Sequence, residues 1–471
     1  MPMSKKLLMA ASGGQSAVSG WISYVARRWQ NSGATLLNSP LSTALGPNEE
    51  VVSTGKLNIF YQAAAGGHMA NGYLMQHGAD GTFERFLQQS LGSSGSTFDG
   101  YANGIAMDSV GNTYITGRTD TTLTDGVIYT KKFDPLGRTV WNTTLSNSNW
   151  VRTSGNGGKG IALDDASNVY IVAEGDDRER SGIVVKYNVN GVLQWKICLV
   201  NTTSSLESPH LNDIVINSAG EIIVAGYDES PTPTATAFIC KLNASTGALI
   251  WNTSGGDLIV GAGGVAAAVT VDSTDNIIIS GWANTSNPLG LVAKYNTSGV
   301  LQWNRTLGDG QTLFFGVAID SYDEIFAVGR SRATGTTAAY DNIIVAKYSS
   351  GGAIQWQRDI DHPTGTTTSS FTDCVVDSSD NLISTGYCNT QGGTAFSGRT
   401  DMMIVKLLGD GSQTGTHGDF VYSATTLLDS FVSNWTDVES PLNVSTNGTG
   451  NVGTGVQPRI KDVEYNFIAI P

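Results

Sequence analysis

Residues Gly104 to Gly117 read GIAMDSVGNTYITG. An apolar run ends at Asp108, a short Gly- and Asn-bearing turn follows, and a second alternating run ends at Gly117. The period is two, so the string reads as strand, tight turn, strand. The same string returns as GIALDDASNVYIVAEG (Gly160–Gly175), DIVINSAGEIIVAG (Asp213–Gly226), VTVDSTDNIIISG (Val269–Gly281), VAIDSYDEIFAVG (Val317–Gly329) and CVVDSSDNLISTG (Cys374–Gly386). A degenerate copy, VVSTGKLNIFYQA, starts at Val51. The register residues are Thr54, Asp108, Asp164, Asn217, Asp272, Asp320 and Asp377. Their spacings of 54, 56, 53, 55, 48 and 57 residues are mostly slightly longer than the ~40–50 of common propeller blades.

Each unit holds four short strands, a to d. Strand c carries a Lys at Lys132, Lys186, Lys241, Lys294, Lys347 and Lys406, with Gln76 in the weak copy. Strand d carries a Trp after a turn Gly at Trp141, Trp195, Trp251, Trp303 and Trp356, with Arg85 in the weak copy. Copy seven has no such Trp after Gly411, whereas Trp21–Val25 has the missing W-x-x-x-apolar form at the other end of the chain. The N-terminal segment is therefore expected to supply the last d strand. The fold expected is all-β, a seven-bladed β-propeller closed by an N-terminal strand, with extended N- and C-terminal arms. The organisation expected is an N-terminal arm at 1–20 and a propeller at 21–411. The propeller contains the closing strand 21–25 and an insertion at 26–50, and an assembly extension follows at 412–471.

The string G-x-A-x-D-s-x-G-N-x-Y-I-x-G, followed by I-V-x-K-Y and L-Q-W, resembles the seven-bladed β-propeller (SBBP) repeat from Trp21 to Gly411. Chains dense in this repeat look like structural or tail proteins of marine bacteriophages. Gly415–Asp429, GTHGDFVYSATTLLD, is similar to the ending of those proteins, and Trp21 to their opening. The resemblance implies a non-enzymatic virion component, tail or tail-fibre associated, made in the host cytoplasm. Its implied partners are other virion proteins and copies of itself. The alternatives are a bacterial surface or secreted adhesion or sensing propeller and, third, a propeller enzyme.

The a–b and c–d turns are short in every copy, whereas the b–c loops differ freely. A rigid scaffold with variable loops on one face is a binding layout. That face is the candidate host-attachment surface, for a glycan or a protein. Its candidate contacts are Trp150, Arg178, Tyr227, Trp282, Arg330 and Tyr387. The Trp series, Trp21 included, reads as packing between blades. Strand c runs antiparallel to b, which is expected to bring Lys132, Lys186, Lys294, Lys347 and Lys406 towards Asp108, Asp164, Asp272, Asp320 and Asp377 as structural polar ties.

Other chemistry finds little support. A net charge of −14 with 14% charged residues argues against a nucleic-acid binder. No apolar stretch reaches the ~20 residues of a membrane helix, so no membrane insertion is expected. Cys198, Cys240, Cys374 and Cys388 have neither disulfide nor zinc spacing and read as buried thiols. GNGGKG (Gly155–Gly160) precedes a strand rather than a helix, which does not suit a phosphate loop. DSTDN at Asp272 lacks the ligand pattern of a calcium loop and reads as an Asx turn. ASTGALIW (Ala244–Trp251) resembles the docking motif of quinone-cofactor propellers, from which only the structural role transfers. No catalytic residue, metal or cofactor is expected.

Overall fold

A computed structural model of the chain places all described residues outside loops in β-strands. Outside the described residues lie 1–19, 27–38, 61–67, 90–99, 121–125, 147–156, 176–180, 202–208, 229–234, 256–262, 284–286, 309–310, 333–340, 362–367, 391–398, 418–419, 425–428, 431–436, 439–441, 446–450, 454–463 and 471. The N-terminal arm to residue 19, Trp150 and Arg178 fall among these.

The strands form seven antiparallel sheets, one per blade. Blade two is typical, running Gly100–Met107, Thr113–Asp120, Gly126–Phe133 and Thr139–Ser146 as strands a to d. Central strands such as Ile222–Asp228 are buried almost throughout. This fits a sheet covered on both faces, and explains runs such as EIIVAG that are nearly all apolar. Seven hydrophobic cores fill the spaces between neighbouring blades. In the core that joins blades seven and one, Ile383, Met402 and Ile404 pack with Val51, Tyr73, Met75 and Phe86.

The N-terminal strand Gly20–Ala26 closes the ring. It pairs with strand c of blade seven in the register Trp21↔Lys406 to Val25↔Met402.

Blade one departs from the sequence reading. Its innermost strand is Ser39–Leu45, inside the expected insertion, and Val51–Phe60 is its strand b. Its a–b turn is Gly46–Glu50, closed by Gly46 N–H to Glu50 O at 2.8 Å, as Asp108 N–H bonds Asn112 O at 3.0 Å in blade two. Gly46, not Thr54, is thus the register residue of copy one. Thr54 sits in strand b, where its hydroxyl donates to Tyr73 O at 2.5 Å. The expected register failed because Gly46 carries no side chain to mark the turn.

The segment after Gly411 was expected to reach other chains. In the structure its strands run along the outer edge of their own ring. Phe420–Ala424 pairs with blade six, Asp429–Ser430 with blade five and Asp437–Val438 with blade four. Leu442–Ser445 then pairs with blade three and Asn451–Gly453 with blade two. Finally Glu464–Ile470 pairs with the closing strand Gly20–Ala26. The tail passes the blades in the reverse of chain order.

Candidate functional site

Two sets of residues repeat around the ring, and they divide the scaffold from the site. The scaffold set lies on the face of the short turns. Asp108 Oδ1 accepts from the N–H groups of Val110 (3.2 Å) and Asn112 (2.8 Å), and Oδ2 accepts from Tyr114 Oη at 3.0 Å. Asp164, Asp272, Asp320 and Asp377 make the same turn bonds. The strand-c ammonium approaches the same carboxylate. The distance is 2.8 Å for Lys294–Asp272 and Lys347–Asp320, 2.5 Å for Lys406–Asp377 and 4.0 Å for Lys132–Asp108. In blade four, where Asn217 replaces the Asp, Lys241 turns to Glu221 at 2.7 Å. Burial would push the Asp272 carboxyl up, but Lys294 and the hydrogen bonds of Asn276 and Thr274 outweigh it and hold it at about 2.

The same Lys and the strand-d Trp reach to the next blade. Trp303 Nε1 (3.2 Å) and Lys294 Nζ (3.3 Å) both donate to Ser350 O, and Trp356 and Lys347 share Gly409 O in the same way. Lys186 and Trp195 share Ala244 O. The indole lies against the next turn's Gly: a Cβ on Gly352 would stand 2.6 Å from the Trp303 ring. Arg85 repeats the contact in blade one, donating to Pro135 O at 2.9 Å. A further tie was not read from the sequence. Ser218, Ser273 and Ser321 donate to Asp275, Asp323 and Asp380 of the following blade, and Ser378 N–H donates to Glu49 across the closure. These four acceptors sit at φ near 60°, a region that the three Asp tolerate better than most residues. The repeated D-S-x-D pattern was its signal.

The second set lies at the loop end of the central channel. Strand a of every blade is interrupted by a β-bulge, for example between Ala102 and Gly104 or Phe314 and Gly316. A bulge re-aims the residue it contains. Here the interruptions hold Leu41, Asn103, Lys159, Asn212, Ala267, Phe315 and Thr372, all of which line one central cavity. The bulge also explains the Gly that ends the strand-b motif. A Cβ on Gly281 would fall onto Val265 O, and one on Gly329 onto Leu313 O.

The residue after that Gly holds one register position in strand b of every blade, and Lys56, Trp282 and Tyr387 of this set line the cavity. Around the ring it is Lys56, Arg118, Glu174 (after Ala173), Tyr227, Trp282, Arg330 and Tyr387. Four of the loop contacts singled out from the sequence, Tyr227, Trp282, Arg330 and Tyr387, are therefore equivalent positions of one ring. Lys56, Arg118 and Glu174 complete it. The degenerate copy hid Lys56 and the change from Gly to Ala hid Glu174, whereas Arg118 follows its Gly117 in plain register.

The cavity has a volume of about 770 Å³. Tyr101, Trp282, Phe315 and Tyr387 give it aromatic walls, and Asp213 and Asp373 also line it. Trp282 meets Phe315 edge-on with ring centres 5.8 Å apart. Beside it Lys159 pairs with Glu174, which also accepts from His210 Nδ1 at 2.9 Å. His210 stacks on Tyr227 at 4.5 Å. Burial pushes Glu174 up, but His210 and Lys159 override it and hold the carboxyl at about 2. Asp213 and Asp373 stand just past the bulges of blades four and seven. Asp213 Oδ2 accepts from Val269 N–H (2.9 Å), and Asp373 Oδ2 from Thr43 N–H (2.8 Å) and Ser42 Oγ (2.9 Å). Burial pushes the Asp213 carboxyl up to about 7, with the charge of Asp373 adding to it, and Asp373 to about 6. Among the described residues no group of three or more His, Cys, Asp or Glu could hold a metal ion.

Comparison with known proteins agrees with the repeat. Residues 88–123 match the SBBP beta-propeller repeat family model. No curated protein matches the chain. Similar solved structures include a protein of unknown function from Bacteroides caccae, 10% identical, covering 72% of this chain and 94% of that one with a TM-score of 0.37. A Trypanosoma rangeli sialidase in complex with the inhibitor DANA is 9% identical, with 79% and 56% covered and a TM-score of 0.39. A polysaccharide lyase, an ulvan lyase, is 10% identical, with 79% and 94% covered and a TM-score of 0.45. Likenesses this distant assign neither ligand nor reaction to this chain.

Proposed function

We propose that this seven-bladed propeller is a non-catalytic attachment component of a bacteriophage particle, tail or tail-fibre associated, that holds a host-surface glycan in its central cavity. The observation that carries the binding reading is the ring of seven equivalent strand-b positions. Its members change from Lys to Glu to Trp while the Asp, Lys and Trp of the turn face repeat. Aromatic faces with interspersed amides and charges suit sugar rings, which offer apolar C–H faces and hydroxyl edges. The particle reading rests on the dense repeat and on the GTHGDFVYSATTLLD ending.

The test is binding of the full chain to an array of bacterial surface glycans, with the Trp282→Ala/Tyr387→Ala double variant alongside. Selective binding that drops at least about tenfold in the variant supports the reading; a tenfold loss is about 1.4 kcal/mol. Binding to no glycan, or binding indifferent to these side chains, overturns the cavity as the site. Shortening of a bound glycan turns the assignment to an enzyme that uses the cavity as its cleft. Antibody against the chain should label purified phage particles, and unlabelled particles would remove the virion role.

A further inference from the structure

The acidic and basic groups that line the cavity are unevenly partnered. Lys159 is matched by Glu174, and its ammonium also donates to Asn212 Oδ1 at 3.2 Å. Lys56 lies over the Tyr101 ring, 5.5 Å from its centre. Among the described residues, Asp213 and Asp373 accept hydrogen bonds only from backbone N–H groups and Ser42, and neither forms an ion pair. Two carboxyl groups without a cationic partner among the described residues thus stand with Lys56 in a space walled by Tyr101, Trp282, Phe315 and Tyr387. The chain's net charge of −14 also favours approach of a cation.

We infer that the cavity selects a glycan carrying a free ammonium group, an amino sugar, which sits between Asp213 and Asp373 against the aromatic walls. The inference rests on the glycan reading above and adds the substrate class. An ammonium supplies the counter-charge that the two carboxylates lack. Aromatic faces attract the same group through their quadrupoles. Acetylation of the amine removes the charge and adds bulk, so the N-acetyl sugar loses both terms.

Calorimetric titration of the full chain at pH 6 compares a glucosamine tetramer with its fully N-acetylated counterpart. The free amine is expected to bind at least about tenfold tighter, as a charge-assisted contact worth ~1.5–3 kcal/mol implies. Binding should also release protons, read as a dependence of the heat on the buffer's ionisation enthalpy, because an ammonium favours the ionised carboxylates. The other titratable groups on the lining are Lys56, Lys159, Tyr101 and Tyr387, with Glu174 and His210 behind Lys159 and Cys374 next to Asp373. Asp213→Asn and Asp373→Asn should each remove most of the preference while keeping one oxygen to accept from the backbone. Should either variant fail to fold, proton release in the unmodified chain decides. Equal binding of both tetramers, or tighter binding of the acetylated one, overturns the ammonium inference and leaves the glycan reading in place. Binding of neither tetramer overturns the inference, while the glycan array independently decides the reading beneath it.

Discussion

At the scale of single residues, Asp272 shows why a charged side chain repeats in a protein so poor in charge. It is buried, caps its own turn and faces Lys294 at 2.8 Å. Removing one partner strands the other, so Asp272→Ala should cost about 3–5 kcal/mol in urea unfolding. The Asp272→Ala/Lys294→Met double variant should cost less, and additive losses would show that the two do not interact. The folded carboxyl near 2 lies below its ordinary value of 3.8. Its stabilisation is therefore present above about pH 4 and fades as pH falls towards 2. The Tm gap between the native chain and Asp272→Asn should close over that window, and a constant gap would refute the linkage. Glycines separate in the same way. Gly281→Ala drives a Cβ onto Val265 O and should cost several kcal/mol, whereas Gly220→Ala meets no atom within 4 Å and should cost about 1 kcal/mol for its positive φ. The Asp, Lys and Trp series was legible because at least five copies state each part of one solution. The bulge residues were not, because a side chain aimed at a cavity has no reason to agree between blades.

At the scale of elements, the missing strand of the last blade and its W-x-x-x-apolar replacement mark the closure in the sequence itself. Deleting residues 1–26 should leave Arg399–Leu407 and Glu464–Ile470 without the strand between them. Exposed edges invite association, so the deletion should aggregate at micromolar concentration and melt well below the full chain. A soluble, equally stable product would show that closure matters little. Two elements escaped the sequence. SPLSTAL, blade one's inner strand, precedes a turn whose Asp has become Gly46. The tail strands, some only two residues long, attach by backbone pairing, which leaves little trace in side-chain pattern.

For the whole molecule, the ring and its tail are separable predictions. Gly411 carries the Trp356 ring, and Gln413 Oε1 accepts from Leu408 N–H at 2.9 Å, so the propeller itself extends to residue 413. A chain cut after Thr414 should stay folded and soluble with a Tm lower by roughly 5–10 °C, and loss of folding would make the tail part of the core. If the chain is a particle component whose tail engages its neighbours, the cut chain should also fail to enter particles. Closure, finally, has a consequence in time. The strand bearing Trp21 leaves the ribosome before the strands of the blades, and its partner Lys406 is made with the last of them. At ~5–20 residues per second the wait is on the order of 20–80 s. Throughout it an apolar strand must stay unpaired while six blades assemble behind it. Synthesis speed and the chaperones that meet a nascent chain should therefore govern the yield of closed rings more than the stability of the finished one.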